Sequence, residues 1–270
     1  MGQTVQFVAG HGPQLASPLR SKADIDCLQV ADAAALDYVM QAISLTKREL
    51  AGKVPLFGFA GSPWTVACYM IEGAGSKMWQ AVRTMLYQDP ASLHRLLDKI
   101  TRTTVHYLNA QIEAGADAIM LFDTWGGVLS YAAYPEFSLR YMQRVAESVH
   151  RHYRGRAVPL VFFTKNATPW LDQIANSGCD AIGLDSTVNL QHAHALIGQR
   201  AAIQGNLDPQ VLFADSEKIS AEVEAILDLM NGSVGHVFNL GHGIDKDTPI
   251  AGVEHMMTAI RRYDSQRGDG

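Results

Sequence analysis

The chain has 270 residues, 47% hydrophobic and 18% charged, which gives enough apolar mass for one large α/β domain and too little polarity for disorder. Its net charge of −5 argues against a nucleic-acid binder, which would carry a basic face. Three scattered cysteines, Cys27, Cys68 and Cys179, without a CxxC or Cys/His ligand spacing, indicate neither a disulfide framework nor a zinc site and favour a reducing cytoplasm. No apolar run reaches the ~18 residues of a membrane span, so no membrane segment is expected, and no basic-then-apolar leader opens the sequence.

Residues 1–30 carry Gly10, Gly12, Pro13 and Pro18 and read as a loop or hairpin. From residue 30 onward, short apolar runs alternate with long amphipathic stretches. A helix is predicted over 33–50, a strand over 54–59, and short helices over 64–71 and 76–87. Asp89-Pro90 marks a helix start, because Asp caps free amides and Pro fits the first turn. Leu93, Leu96, Leu97, Ile100, Leu108 and Ile112 keep the helical period from there to Gly115. A strand over 118–122 follows, then a helix over 134–152, a strand over 158–163 and a helix over 169–176 that stops near Gly178. The rest reads as strand 181–184, helix 192–197, strand 201–204, helix 217–230, strand 236–240 and helix 251–263.

An internal echo supports the alternation. The run from Gly115 to Asp123 (GADAIMLFD) resembles that from Gly178 to Asp185 (GCDAIGLD). In each, a helix ends at Gly, the chain turns, and a buried strand delivers an Asp at its far end. Strictly alternating β/α units mean a parallel sheet, and fully apolar strands such as residues 158–163 fit burial on both faces. Six such strands are counted, whereas a closed barrel of this type has eight. Either the sheet is open or two units are absent. No Pro/Ser-rich linker divides the chain, so one domain over residues 1–270 is expected.

In parallel α/β folds, the loops after the C-terminal ends of strands carry function. That rule selects residues 58–63, Asp123 with Thr124, Lys165, Asp185, Asn206 with Asp208, and Asn239 with His242. Asp185, Asn206 and Asn239 could each simply cap a following helix; taken together they point to a shared cleft. His242 lies between two glycines that permit a tight turn and an exposed ring, an ordinary surface-loop histidine being the alternative. Tyr69 follows Gly61-Ser62-Pro63, and spacing alone favours a core tyrosine over a cleft donor. His192 and His194 are two apart and would not face each other on a helix; with His150 and His152 they read as surface residues. Gly58 and Gly61 do not form a dinucleotide loop, and no phosphate loop occurs.

Several stretches resemble the uroporphyrinogen decarboxylase family. They are Phe57 to Gly73 (FGFAGSPWTVACYMIEG), Leu121 to Gly127 (LFDTWGG), Ile182 to Asp185 (IGLD), Gln204 to Pro209 (QGNLDP) and Phe238 to Gly243 (FNLGHG). They fall in order, and the similarity runs from about residue 6 to 263. The resemblance implies an α/β fold of the (β/α)8 TIM-barrel type, with the first two β/α units missing here. It also implies a cytoplasmic homodimer and a lyase of haem (tetrapyrrole) biosynthesis. The implied reaction removes carbon dioxide from the four acetate side chains of uroporphyrinogen III, giving coproporphyrinogen III without cofactor or metal. Carried over by motif, Tyr69, Thr124 and His242 are the catalytic residues. Tyr69 and Thr124 would meet substrate carboxylates and His242 a propionate or acetate group. Phe59, Trp125 and Ile244 would line the apolar parts of the cleft.

Two family runs do not occur in this sequence. One is an Arg-Gln-Ala-Gly-Arg-Tyr run on the first strand, whose arginines bind substrate carboxylates. The other is a Phe-Ser-Asp run ending the second, whose Asp holds the pyrrole nitrogens. The resemblance thus implies that the chain opens at a point internal to full-length members, in agreement with the count of six strands, and that it is inactive or unstable by itself. Two rival readings stand beside it. A zinc-dependent barrel methyltransferase would need a His-x-Cys and a distant Cys as ligands, and no Cys follows a His at that spacing. A porphyrinogen-binding remnant would bind without turnover.

Overall fold

Two short strands, β1 (Val5–Val8) and β2 (Gly12–Leu15), pair antiparallel at the start of the computed structural model, which describes residues 1–8, 12–233 and 235–267. The expected hairpin is therefore present; Gly10, one of the residues that suggested it, lies outside the described residues. A helix not anticipated follows, α1 (Lys22–Cys27). Its signal was present as a capping box: the Ser21 hydroxyl accepts the Asp24 amide at 3.2 Å, and the Asp24 carboxylate accepts the Ser21 amide at 2.8 Å.

These elements belong to a first unit comprising Met1–Lys165 and Ser177–Cys179. It continues through α2 (Asp37–Leu50), entered by a 3-10 turn over Ala33–Leu36, β3 (Phe57–Gly61), α3 (Pro63–Glu72) and α4 (Gln80–Gln88). Next come α5 (Pro90–Ala114), β4 (Ala118–Asp123) and α6 (Arg140–Ser148). The strands β5 (His152–Tyr153), β6 (Arg156–Ala157) and β7 (Leu160–Thr164) close it. Asp89 caps α5 by accepting the Ser92 amide at 3.1 Å, and Gly115 ends it at φ +116, as the sequence indicated. β4 pairs in parallel with β3 on one side and β7 on the other. That central position requires the run Ala118-Ile-Met-Leu-Phe-Asp123 to be apolar up to its last residue.

Two helix boundaries differ from expectation. The helix expected over 134–152 is a π-helical turn, Pro135–Leu139, running into α6, and it stops at Ser148. His152 is instead in β5, paired with Ala157. The turn between β5 and β6 places Arg154 and Gly155 at φ +51 and +77, the two consecutive positive values that close a two-residue hairpin. The helix expected over 76–87 begins only at Gln80, because the Ser76 hydroxyl holds the amides of Met78 and Trp79 in a turn.

At the free edge of β3, the rung at Phe59 is met by a side chain. The Asp117 amide donates to the Leu56 carbonyl and the Ser62 amide to the Phe122 carbonyl, so alternate residues of β3 face β4 and Phe59 faces away. Gln111 of α5, 2% exposed, donates to the Phe59 carbonyl at 2.9 Å and accepts the Phe59 amide at 2.8 Å.

The second unit comprises Asn166–Asn176 and Asp180–Gly270. It contains α7 (Leu171–Ala175), β8 (Ala181–Gly183), α8 (Leu190–Ile197), β9 (Ala202–Gln204), α9 (Ser216–Leu229), β10 (His236–Val237) and α10 (Ile250–Arg267). β9 pairs in parallel with β8 and with β10. With β3, β4 and β7, this makes six parallel strands among the described residues, the number read from the sequence. β10 is shorter than the expected 236–240; beyond it only a Leu207–Leu240 bridge continues the pairing. Leu207, Leu212, Ile219, Val223 and Ala259 form the core between α9, α10 and the 3-10 turn Pro209–Phe213. At Gly252 a Cβ would stand 2.0 Å from the Leu212 carbonyl oxygen, so this glycine allows α10 to sit against that turn.

In the first unit, Asp117 ties three segments together. It accepts the Lys47 ammonium at 2.5 Å, the Leu56 amide at 2.8 Å, and the Arg156 guanidinium. Burial works to raise its pKa, but these partners outweigh it and hold the carboxyl at about 2. The stabilisation is present above the ordinary carboxylate value and lost as pH falls toward 2; the shift corresponds to at most about 2 kcal/mol. Asp117→Asn is expected to lower the urea midpoint at pH 7 and to differ little from the parent near pH 2. An equal deficit at both pH values would contradict the linkage.

Candidate active site

At the C-terminal end of β4 the chain delivers a carboxylate into a fully enclosed position, since Asp123 is 0% exposed. Four hydroxyl groups surround it. Ser62 approaches Oδ1 at 2.6 Å and Thr65 approaches it at 3.2 Å. Ser138 reaches Oδ2 at 2.7 Å and Thr164 reaches it at 3.4 Å. Tyr134 extends the chain to the Thr164 hydroxyl at 2.9 Å.

Two of the hydroxyls have their direction fixed. Ser62 caps α3 by accepting the Thr65 amide at 3.0 Å, and Thr65 accepts the Trp125 amide at 3.2 Å. Each therefore spends its proton on Asp123. Burial raises the Asp123 pKa, and the hydroxyl donors work against that rise. Burial together with the neighbouring Asp123 also pushes the Tyr134 phenol and the Cys68 thiol well up. No room is left beside the carboxylate: a Cβ on Gly126 would lie 1.9 Å from Oδ2 and 2.8 Å from the Thr164 methyl.

Around this anchor the structure gathers four of the expected site residues. Tyr69 lies on α3, half-buried, edge-on to Trp125 with ring centroids 6.4 Å apart. Trp79, not anticipated, completes the cluster at 5.3 Å from Tyr69 and 4.7 Å from Trp125. It takes φ +51, which only the Ser76 turn before it could have hinted at. The indole N–H groups of both tryptophans are buried without an acceptor among the described residues. Thr124 is half-buried between Asp123 and Trp125. Phe59, in the middle of β3, is 61% exposed and edge-on to Phe122 at 5.9 Å. Tyr69 is thus neither a closed core tyrosine nor fully exposed, which spacing alone could not resolve.

His242 and Ile244 lie in the second unit, both exposed. Gly241 before them is buried, and a Cβ there would meet the Ser186 amide at 2.3 Å, so the loop passes directly over the backbone after Asp185. Asp185, 3% exposed, accepts the amides of Asn166 at 2.5 Å and Thr187 at 2.9 Å, along with the Thr187 hydroxyl. Asn206 donates to the Asp185 and Val188 carbonyls at 2.9 Å each. Neither they nor Asn239, whose side chain accepts the Leu240 amide, caps a helix. Asp185 and Asn206 instead brace the strand-end loops, while Asp208 does cap the turn that follows it. His194, expected at the surface, is half-buried and meets the Ser233 hydroxyl at 2.9 Å. Among the described residues, no group of three His, Cys, Asp or Glu side chains could hold a metal ion, and no helix is long and apolar enough to cross a membrane.

Alternating β/α units with polar groups collected at strand ends define an α/β protein of the TIM-barrel type. A methyltransferase from Methanosarcina mazei shares that fold, with a TM-score of 0.81 at 22% identity over 97% of this chain and 76% of its own. The family model described as uroporphyrinogen decarboxylase (URO-D) matches residues 1–263. The uroporphyrinogen decarboxylase of Actinobacillus succinogenes is 51% identical over 97% of this chain and 75% of its own length. That of Actinobacillus pleuropneumoniae is 49% identical over 98% and 75%. The chain belongs to the uroporphyrinogen decarboxylase family, and it spans about three quarters of the length of these relatives.

Gly126→Ala is expected to destabilise the fold by about 1–3 kcal/mol, the range for overpacking a closed site. This would read as a lowered thermal midpoint with retained helical signal below it. A midpoint equal to that of the parent would show that the Asp123 surroundings yield more easily than their packing indicates.

Proposed function

We propose that residues 1–270 act as one uroporphyrinogen decarboxylase domain, a carboxy-lyase that removes carbon dioxide from the acetate side chains of uroporphyrinogen III to give coproporphyrinogen III. What carries this reading is the retention of the family's motifs at about 50% identity, with Tyr69 and Trp125 side by side at the end of β4. A cytoplasmic homodimer is part of the same proposal.

The chemistry asks for little beyond positioning. When the bond to a carboxylate breaks, its electron pair must move into the pyrrole ring. A ring that has taken up a proton accepts that pair, so the substrate serves as its own electron sink. The protein's task is to hold the carboxylate where it can leave and to stabilise the transient ring cation. Tyr69 and Thr124 would donate their hydroxyls to acetate oxygens. Phe59 and Trp125 would offer ring faces and edges to the macrocycle. His242 would contact a propionate or acetate, and Ile244 would add apolar lining.

After incubation with freshly reduced uroporphyrinogen, oxidation and chromatography, the chain by itself is expected to yield no coproporphyrin, whereas the chain joined to a family segment carrying the two absent runs is expected to yield it. Tyr69→Phe is expected to lower kcat/KM on the order of ten- to a hundredfold, as befits loss of a hydrogen bond to a charged group. An absence of coproporphyrin from the joined form would count against the reading, and unchanged turnover by Tyr69→Phe in that form would remove Tyr69 from it.

A further inference from the structure

We infer that Asp123 is a positioning residue for the decarboxylation, acting through Thr65 to set the backbone that carries Thr124 and Trp125 against the helix that carries Tyr69; the inference rests on the function proposed above.

The connections are direct. Asp123 is the last residue of β4, and Thr124 and Trp125 follow it in sequence. Its Oδ1 holds the hydroxyls of Ser62 and Thr65, the cap and an early residue of α3, on which Tyr69 lies one turn further along. Thr65 then accepts the Trp125 amide at 3.2 Å. The loop thus returns to α3 through a path of three groups: carboxylate, hydroxyl and amide. Trp64 adds a second tie, its indole N–H donating to the Trp125 carbonyl at 2.9 Å. Both backbone polar groups of Trp125 are therefore bonded to adjacent residues of the first turn of α3. On Oδ2, Ser138 and Thr164 tie the π-helical turn and the end of β7 to the same carboxylate. π-helical turns recur at functional sites.

A merely structural interior would more simply use apolar side chains here, because a buried carboxylate without a cation is costly and an apolar replacement is often as stable or more so. The arrangement instead yields directionality. The Thr65 hydroxyl can satisfy its two partners only with its proton on Asp123 and its lone pair on the Trp125 amide. A displacement near 1 Å at a reacting centre can cost about a hundredfold in rate, so the hold on this loop bears on kcat more than on binding.

The discriminating pair is Thr65→Val, which keeps the shape and removes the hydroxyl, against Thr65→Ser, which keeps the hydroxyl. Asp123→Asn serves as a third variant. In Asp123→Asn the amide oxygen can serve Ser62 and Thr65 only if the N–H₂ turns to Ser138 and Thr164, which must then accept instead of donate. Each is made in the form joined to the two absent family runs, and steady-state kinetics with uroporphyrinogen and near-UV circular dichroism of the tryptophans are measured. Thr65→Val and Asp123→Asn are expected to lose on the order of ten- to a hundredfold in kcat with KM nearly unchanged. Their tryptophan bands should also be altered, whereas Thr65→Ser retains both rate and spectrum. If Thr65→Val turns over like the parent, the positioning role is overturned, whatever Asp123→Asn does to folding. If the joined parent does not turn over either, the decarboxylase reading fails and the catalytic role falls with it. Altered tryptophan bands in Thr65→Val, restored in Thr65→Ser, would then still establish the loop's dependence on Asp123, and unaltered bands would remove that too.

Discussion

A carboxylate with no cation beside it, sealed from water, organises the first unit. An isolated buried charge costs several kcal/mol after relaxation, and Asp123 offsets that cost with hydroxyls drawn from distant parts of the chain: Ser62 and Thr65 from α3, Ser138 from the π-helical turn, and Thr164 from β7. Each donor fixes the element that supplies it. β4 must end where it does, α3 must begin at Ser62, and the loop after β4 must turn at a residue with no side chain, Gly126. The candidate site residues on that loop and on α3 take their places from this arrangement.

The alternating architecture was legible because buried parallel strands leave a plain mark. Residues 118–122 and 160–163 are uninterrupted apolar runs; Gly115 caps the end of α5, and Gly178 stands three residues past α7, whose cap is Asn176. Both echo strands end in a buried Asp, at 0% and 3% exposure, so repetition at the level of sequence foretold repetition at the level of burial. What the Asp residues do could not be foretold in the same way. The partners of Asp123 lie up to 61 residues away and follow no period, while those of Asp185 are mostly backbone amides, which every residue possesses. Two similar runs thus lead to a hydroxyl cage in one unit and a loop brace in the other.

Local conformations set by short polar contacts were the least visible. Trp79 reads as an ordinary helical residue until the Ser76 hydroxyl is seen holding its amide at 3.0 Å; that hold accompanies a left-handed backbone and an indole packed against Tyr69 and Trp125. The hairpin that turns at Arg154-Gly155 likewise takes His152 from the end of what looked like one long amphipathic helix. The motif residues of the family were legible by resemblance, but their environment was not. Tyr69 and Trp125 proved to share a cluster with a residue that no motif had marked.

Gln111 has a consequence for association. At Phe59 its amide stands in for a neighbouring strand, offering one donor and one acceptor to a rung that would otherwise face outward. Open strand edges template pairing with other polypeptides, and this rung is withheld from that. A helix side chain thus supplies what a further strand would supply, and the backbone of Phe59 is satisfied without one.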